Sequence, residues 1–480
     1  MKLPFAALGL LLLAACAGPR PESPPDAAVV PPSGWRTAPS ALTAEVSATW
    51  WQAFDDPVLT GIVDTALANN VDIALAAERV AEARGQFHLA QARTLPDVVG
   101  AAGGGRDRDI NPGFGVPEYQ NTYGGEISIS YDLDLFGRLA YATDATRAML
   151  LSTEAAHDNV RLAVAATAAS GYVTLRALDA RLAVLRATLA TRAGSLKIVR
   201  RRTEAGYSSQ LDLAQAEVDY QAAAELIPVS ELAITHQEDG LSVLLGANPR
   251  AIERGVTLNQ LALPTVPATV PSTLLRRRPD IIAAEERLIA ADRSLDSARA
   301  AFMPDVQLSA SRGLVGSSLL AVASPQWIFA LGGSILAPIF DSGRLQAQQE
   351  TVAAQRDQAA FAYRKAALTA FQEVEDGLAS VQRLNEEEDT LLAERDVLAR
   401  TLRLATNRYR AGYSPYLDQL DAERQLLSVE LALVRSRADR LNALVALYQA
   451  LGGGWQEPER TEKAATEVQK LKGIAKSILR

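Results

Sequence analysis

The chain has 480 residues, 48% of them hydrophobic, with 48 Lys and Arg against 56 Asp and Glu and a formal net charge of −8. An acidic balance without a basic stripe argues against a nucleic-acid partner. The single cysteine, Cys16, excludes an intrachain disulfide and any multi-cysteine metal site.

At the N-terminus, Lys2 precedes an apolar run from Leu3 to Ala15, too short to span a bilayer as a mature helix but suited to a secretory signal. Residues 1–15 are therefore expected to be a signal peptide. The run ends Leu13-Ala14-Ala15-Cys16, which resembles a bacterial lipobox, where the cysteine is acylated and becomes the new N-terminus. The alternative is a buried apolar cysteine in an ordinary signal peptide. Ala17, not aspartate, follows the cysteine, which in such lipoproteins points to the outer membrane. One acyl chain anchors weakly, so further chains or another membrane element should reinforce it. Residues 16–49 are rich in proline and small residues and should run as an extended strap along the outside of the fold.

From Trp50-Trp51 onward about 400 residues remain, enough for two or three ordinary domains. They are written twice. Residues 202–217 (RTEAGYSSQLDLAQAE) and 408–423 (RYRAGYSPYLDQLDAE) share nine of sixteen positions at a constant offset of 206. Asp72-Ile73 and Pro96-Asp97-Val98 recur at an offset of 208 as Asp280-Ile281 and Pro304-Asp305-Val306. Gly137-Arg138-Leu139 recurs at 206 as Gly343-Arg344-Leu345, so the two-residue change marks a variable loop between these landmarks. The chain is a tandem duplication, with repeat 1 over 50–262 and repeat 2 over 263–455.

Within repeat 1, residues 72–94 read as a helix with Asp72 as its cap. Farther on, Ile127, Ile129 and Tyr131 alternate with Glu126, Ser128, Ser130 and Asp132, the mark of a strand dividing an apolar environment from water. Residues 97–106 are its expected partner. In repeat 2, Val306, Leu308 and Ala310 alternate with Gln307, Ser309 and Ser311, whereas 327–340 is apolar on both faces. The strand regions thus fall at about 97–135 and 305–340.

Long helices follow at 140–205 and 343–411. About 65 residues rise roughly 100 Å, and Leu175, Leu178, Leu182, Leu185 and Leu189 step as a coiled-coil seam. Return helices are expected at 209–245 and 415–451, where Pro228 predicts a bend that Val434, its counterpart in repeat 2, does not. Between them, each shared segment has the grammar of a hairpin tip. Gly206 or Gly412 closes one helix, Ser208 or Ser414 is expected to cap the next, and Pro415 suits a first turn.

Four strands per chain fall short of the eight of the smallest membrane barrels, and an open edge in lipid leaves backbone groups unpaired at several kcal/mol each. The chain is therefore expected to oligomerise, three copies giving twelve strands. A small soluble sheet between helices is the alternative.

The order of lipobox, Pro-rich strap, helix, strand pair, long helix, Gly-Tyr-Ser tip and return helix, then the same again, resembles the outer-membrane efflux factor (TolC) family. The likeness is to its lipidated NodT-like branch and covers residues 1 to about 455. It implies a mainly α protein with membrane β: a trimeric twelve-stranded β-barrel, four strands per chain, on a long coiled-coil α-helical barrel. Such a homotrimer is a passive exit duct that docks onto a periplasmic adaptor protein and an inner-membrane transporter. By position, Tyr409, Asp418, Asp421 and Asp212 match the family's periplasmic gate, with Tyr409 expected to bond Asp212. The arginine that family members carry beside this tip is replaced by Ser414. The adaptor's hairpins would bind Ala205, Gly206, Tyr207 and Ser208 and their counterparts Ala411, Gly412, Tyr413 and Ser414. Asp212 and Asp418 equally suit a helix first turn, where the dipole favours a carboxylate, and stay open between capping and gating. Asp421 lies nearly a turn farther in and is expected to face the lumen.

No enzyme is expected. His88, His157 and His236 have no partner at metal-ligand spacing, and Gly103-Gly104-Gly105 lacks the lysine of a phosphate loop. No metal or cofactor is expected beyond the lipid on Cys16. A lipidated periplasmic coiled-coil scaffold would explain the helices and Cys16 but not the duplicated strand pairs. A type I secretion duct is a further alternative, which the lipobox disfavours only by resemblance. Residues 456–480 form a mixed tail with no assigned role.

Overall fold

The computed structural model describes residues 19–37, 46–110, 115, 117–266, 271–317 and 326–455; Cys16 and the tail at 456–480 lie outside the described residues. In repeat 1, α1 (Pro57–Asn69) and α2 (Val71–Ala92) lead to β1 (Asp97–Ile110) and β2 (Pro117–Asp132). The long α3 (Arg138–Glu204) and the return helix α4 (Gln210–Leu244) complete it. Repeat 2 gives α5 (Pro271–Arg277), α6 (Pro279–Ala300), β3 (Asp305–Gly316), β4 (Gln326–Leu336), α7 (Arg344–Arg410) and α8 (Tyr416–Ala450). The duplication is kept residue for residue in the long helices: α3 and α7 each have 67 residues, and α4 and α8 each have 35.

Two compact units form, and neither is a repeat. Among the described residues, one takes 19–29, Glu78–Ala155 and Ala283–Ala366; the other takes the described part of Val30–Ala77, Ala156–Ile282 and 367–455. Each draws on both repeats.

The first unit holds a four-stranded antiparallel sheet in the order β1-β2-β3-β4. Asp97 pairs with Ser130, Ser128 with Ser311, and Asp305 with Leu336. Ser128, Ser130 and Asp132 lie beside Ser311, Ser309 and Gln307 on one face, while Ile127, Ile129 and Tyr131 share the other with Arg312, Ala310 and Leu308. The same registers put Trp327, Phe329, Leu331 and Ile335 of β4 on that second face, all well exposed. The opposite face of β4 carries Ala330, Gly332 and Ser334 along with Ile328 and Leu336. Sequence alone made both faces apolar; pairing puts Trp327, Phe329, Leu331 and Ile335 on one face, with Ile328 and Leu336 at the two ends of the other. β4 also ends at Leu336, not at residue 340, two residues before Pro338, which has no amide to donate.

In the second unit, Trp50 stacks on Tyr448 at 5.5 Å between ring centroids and packs with Phe54; Trp50 and Phe54 are each no more than 1% exposed. Asp56 caps α1 by accepting from Val58 N at 2.8 Å, and it also accepts from the Tyr172 hydroxyl at 2.9 Å. The cap of α2 is Asn70, whose Oδ1 accepts from the amides of Asp72 and Ile73; the expected cap, Asp72, instead sits in the first turn. Asn70 Nδ2 donates to Leu244 O at 2.9 Å, and its repeat counterpart Arg278 donates to Ala450 O at 3.0 Å. Both joints thus tie the end of a return helix to the start of the earlier 22-residue helix of its own repeat.

The strap is held by arginine and aromatic contacts. In the first unit Arg20 pairs with Asp292 at 2.7 Å, and Arg356, 2% exposed, donates to the carbonyls of Pro21 and Glu22. In the second, the Arg36 amide donates to Glu375 at 2.6 Å and Trp35 packs on Phe371.

Candidate functional site

The shared Gly-Tyr-Ser segments form the two hairpin tips, α3 to α4 and α7 to α8, both in the second unit. Each long helix closes the same way. Tyr207 N donates to Arg202 O at 2.7 Å and Gly206 N to Thr203 O at 3.0 Å; Tyr413 and Gly412 repeat this with Arg408 and Tyr409. This is the Schellman pattern, which needs a left-handed residue just past the helix. Gly206 has φ +78° and Gly412 φ +81°. A Cβ at either would meet nothing within 4 Å, so backbone conformation and not space requires glycine there.

The next helix starts one residue later than the sequence suggests. Ser209, not Ser208, caps α4: its Oγ accepts from Asp212 N at 3.0 Å and Asp212 Oδ2 accepts from Ser209 N at 3.1 Å. The Schellman closure uses Gly206 and Tyr207, which leaves Ser208 as linker and puts Ser209 at the first extended position. In repeat 2 that position is Pro415, with φ −68° and ψ 162° and no side-chain cap. Ser414 therefore caps nothing, and its buried Oγ has no hydrogen-bond partner among the described residues.

The gate candidates separate accordingly. Asp212 is engaged in its capping box. Tyr409 does not bond it; its hydroxyl lies 3.3 Å from Ser208 Oγ. Asp418 and Asp421 are exposed on α8, three residues apart and hence on one face, and Asp421 accepts from Gln425 at 2.7 Å. Tyr207 and Tyr413, equivalent in the repeat, are each 79% exposed at the tips.

Beneath the tips the structure gathers around Tyr409 several residues that the pattern reading gave no role. Tyr409, 5% exposed, packs with Tyr416 at 5.4 Å and with Val199, Ala216 and Leu420. Arg202 places its guanidinium 4.9 Å from the Tyr409 ring centroid and donates to Tyr409 O at 3.2 Å. One cation thus covers an aromatic face and the carbonyl end of α7, both favourable. Next to this cluster, Arg192 and Asp219 form a buried ion pair at 3.1 Å, joined by the half-exposed Arg424 from the other hairpin, also at 3.1 Å. Ser195 of α3 bonds Gln419 and Glu423 of α8 at 3.2 Å each. Burial, with the charges of Glu423 and Asp219, pushes the Tyr416 hydroxyl well above its ordinary range, so it stays neutral. Arg192 and Asp219 could have been found as charges set into otherwise apolar helix faces, but their pairing spans two helices and has no sequence spacing. Arg202 is one of the nine repeated positions, yet nothing in the repeat says that it reaches across to the other tip.

On the flank of the first hairpin an open groove of about 1070 Å³ runs between α3 and α4. Lys197, Arg200 and Arg201 line one wall, with Glu217, Gln221 and Glu225 on the other. Among the described residues no group of three or more His, Cys, Asp or Glu is placed to hold a metal ion.

Comparison with known proteins adds family evidence. The family profile described as outer membrane efflux protein matches residues 62–247 and 270–453, one stretch in each repeat. The chain is 34% identical over 463 residues to the toluene efflux pump outer membrane protein TtgC of Pseudomonas putida, covering 94% of this chain and 95% of the relative. It is equally similar, at 34% over the same length and with the same coverage, to the antibiotic efflux pump outer membrane protein ArpC of the same species. Among solved structures, the outer-membrane channel OprN superposes with a TM-score of 0.84 at 26% identity, over 92% of this chain and 99% of that one.

Proposed function

The chain belongs to the outer membrane efflux protein family, and from that premise we propose that three copies close one barrel and act as the exit duct of a tripartite pump. The protein is an outer-membrane efflux channel; its partners and assembly are the proposal. The observation that carries it is the sheet: four strands among the described residues, edges at β1 and β4, and a face of exposed Trp327, Phe329, Leu331 and Ile335. Such a sheet is stable in lipid only if its edges are paired. Twelve strands from three copies supply that.

A periplasmic adaptor and an inner-membrane transporter complete the pump in this reading. The exposed tyrosines Tyr207 and Tyr413, at the tips with Ala205, Gly206, Ser208, Ala411, Gly412 and Ser414, support the tips as its docking surface. Cys16 carries the lipid anchor. The chain performs no covalent chemistry, and small apolar or amphipathic molecules are its cargo, in keeping with the toluene and antibiotic pumps of the two relatives. Asp418 and Asp421 ring the narrow end, where like charges in a low-dielectric neck attract cations.

Native mass and planar-bilayer conductance of the full chain in detergent test this. A trimer with cation-selective conductance is expected, and Asp418→Ala with Asp421→Ala should lower that selectivity and relieve block by multivalent cations. A monomer without conductance would sink the proposal; unchanged selectivity in the double variant would remove the two carboxylates from the gate.

A further inference from the structure

The two free sheet edges carry more than a need for partners, because the repeat specifies how they meet. β1 with β2 places Asp97 opposite Ser130, and β3 with β4 places Asp305 opposite Leu336. Shifting the first strand by 208 residues and the second by 206 turns one pairing into the other. Those are the same offsets that relate Pro96-Asp97-Val98 to Pro304-Asp305-Val306 and Gly137-Arg138-Leu139 to Gly343-Arg344-Leu345. The hairpins are therefore equivalent in register as well as in sequence.

The junction of β2 with β3 is of another kind: the second strand of one repeat meets the first strand of the next, with Ser128 opposite Ser311. In a closed ring of copies, β4 followed by β1 of the next copy is that same kind of junction. The offsets carry Ser128 to Ser334 and Ser311 to Gly103. We infer that β4 of one copy pairs antiparallel with β1 of the next copy in one register, Ser334 opposite Gly103, running from Leu336 opposite Ala101 to Trp327 opposite Ile110. This rests on the ring-closed barrel proposed above and fixes the seam that closes it.

The faces of the sheet agree. Ser334 lies beside Gln307 on the polar face, and Gly103 lies on that face too, beside Gly124 and two residues from Ala101, the neighbour of Glu126. A slip of one residue would set Ser334 beside Ala102, which belongs to the apolar face, and would turn every side chain of the seam to the wrong side. Slips of two residues keep the faces, and experiment must separate them.

Thiol pairs in the full-length protein, assayed in isolated outer membranes, test the register. Directly opposite Cβ atoms lie about 5 Å apart and diagonal ones roughly 7–8 Å, so a thiol bridge of about 5 Å discriminates. Ser334→Cys with Gly103→Cys should link copies into dimers and covalent trimers on boiled, non-reducing gels, at least about ten times more efficiently than Ser334→Cys with Ala101→Cys or with Gly105→Cys. Gly332→Cys with Gly105→Cys is a second in-register pair, should the first misfold. Stronger linking by either off-register pair overturns the register. No linking in any pair, while unboiled samples still run as trimers, overturns the seam but leaves the trimer standing. If unboiled wild-type protein runs as a monomer, the ring itself fails, and the inference with it.

Discussion

At the scale of single residues, the tips are held by a few contacts of unequal weight. Asp219 is almost fully buried between Arg192, 6% exposed, and Arg424, 54% exposed. Removing one partner of a buried pair strands the other charge at a cost of about 3–5 kcal/mol, whereas an exposed pair contributes about 0–1 kcal/mol. Asp219→Ala should therefore lower the thermal midpoint of the purified protein sharply and Arg424→Ala barely; equal effects would contradict this. At the tip itself, Tyr409→Phe keeps the ring contacts and loses only the hydroxyl contact with Ser208, about 1 kcal/mol. Arg202→Ala removes the cation over the ring, about 0.5–2 kcal/mol, and the bond to Tyr409 O as well. In planar bilayers Arg202→Ala should raise conductance more than Tyr409→Phe, and the reverse order would mean that the hydroxyl dominates the closed tip. Tyr409 was named by its match in position to the family's gate. Arg202 was not, because a cation crossing from one tip to the other leaves no mark in either copy.

At the scale of elements, the two return helices are equal in length and unequal in composition. α4 runs unbroken through Pro228, while α8 has Val434 at the matching place. Proline withholds the amide that would bond residue 224 and crowds the preceding turn, so a bend is the expected outcome where the helix continues. Hydrogen exchange should be faster over residues 224–232 than over 430–438, and Pro228→Ala should slow it. Matching rates in the unaltered protein would argue against the bend. Propensity and periodicity placed all four long helices within a residue or two of their ends. The caps were harder, because Ser208 and Ser209 are chemically alike and only the backbone of the Schellman closure selects the second.

At the scale of the whole molecule, the lipid proposed on Cys16 and the proposed barrel would be separate means of holding the membrane. The strap is anchored through Arg20, Arg36 and Arg356, none of which depends on Cys16. Cys16→Ala should abolish incorporation of labelled acyl chains yet leave trimers on unboiled gels, provided that export is preserved. Loss of trimers in an exported Cys16→Ala variant would show that the anchor takes part in assembly.

The sequence by itself determined the duplication, the order of elements, the amphipathic strands and the glycines at both tips. Each is a local or periodic property, written in neighbouring residues or in residues a fixed offset apart. Tertiary structure alone decided which residues meet across the duplication. It split the chain into two units that cut through both repeats, ended β4 before Pro338 and paired Arg192 with Asp219. It also engaged Asp212 away from Tyr409, since its carboxylate accepts from the Ser209 amide while the Ser209 hydroxyl accepts from the Asp212 amide, a reciprocal pair that satisfies two helix-end donors. Contacts between distant segments depend on how faces pack and which polar groups burial would otherwise leave unpaired, and neither is encoded at any spacing along the chain.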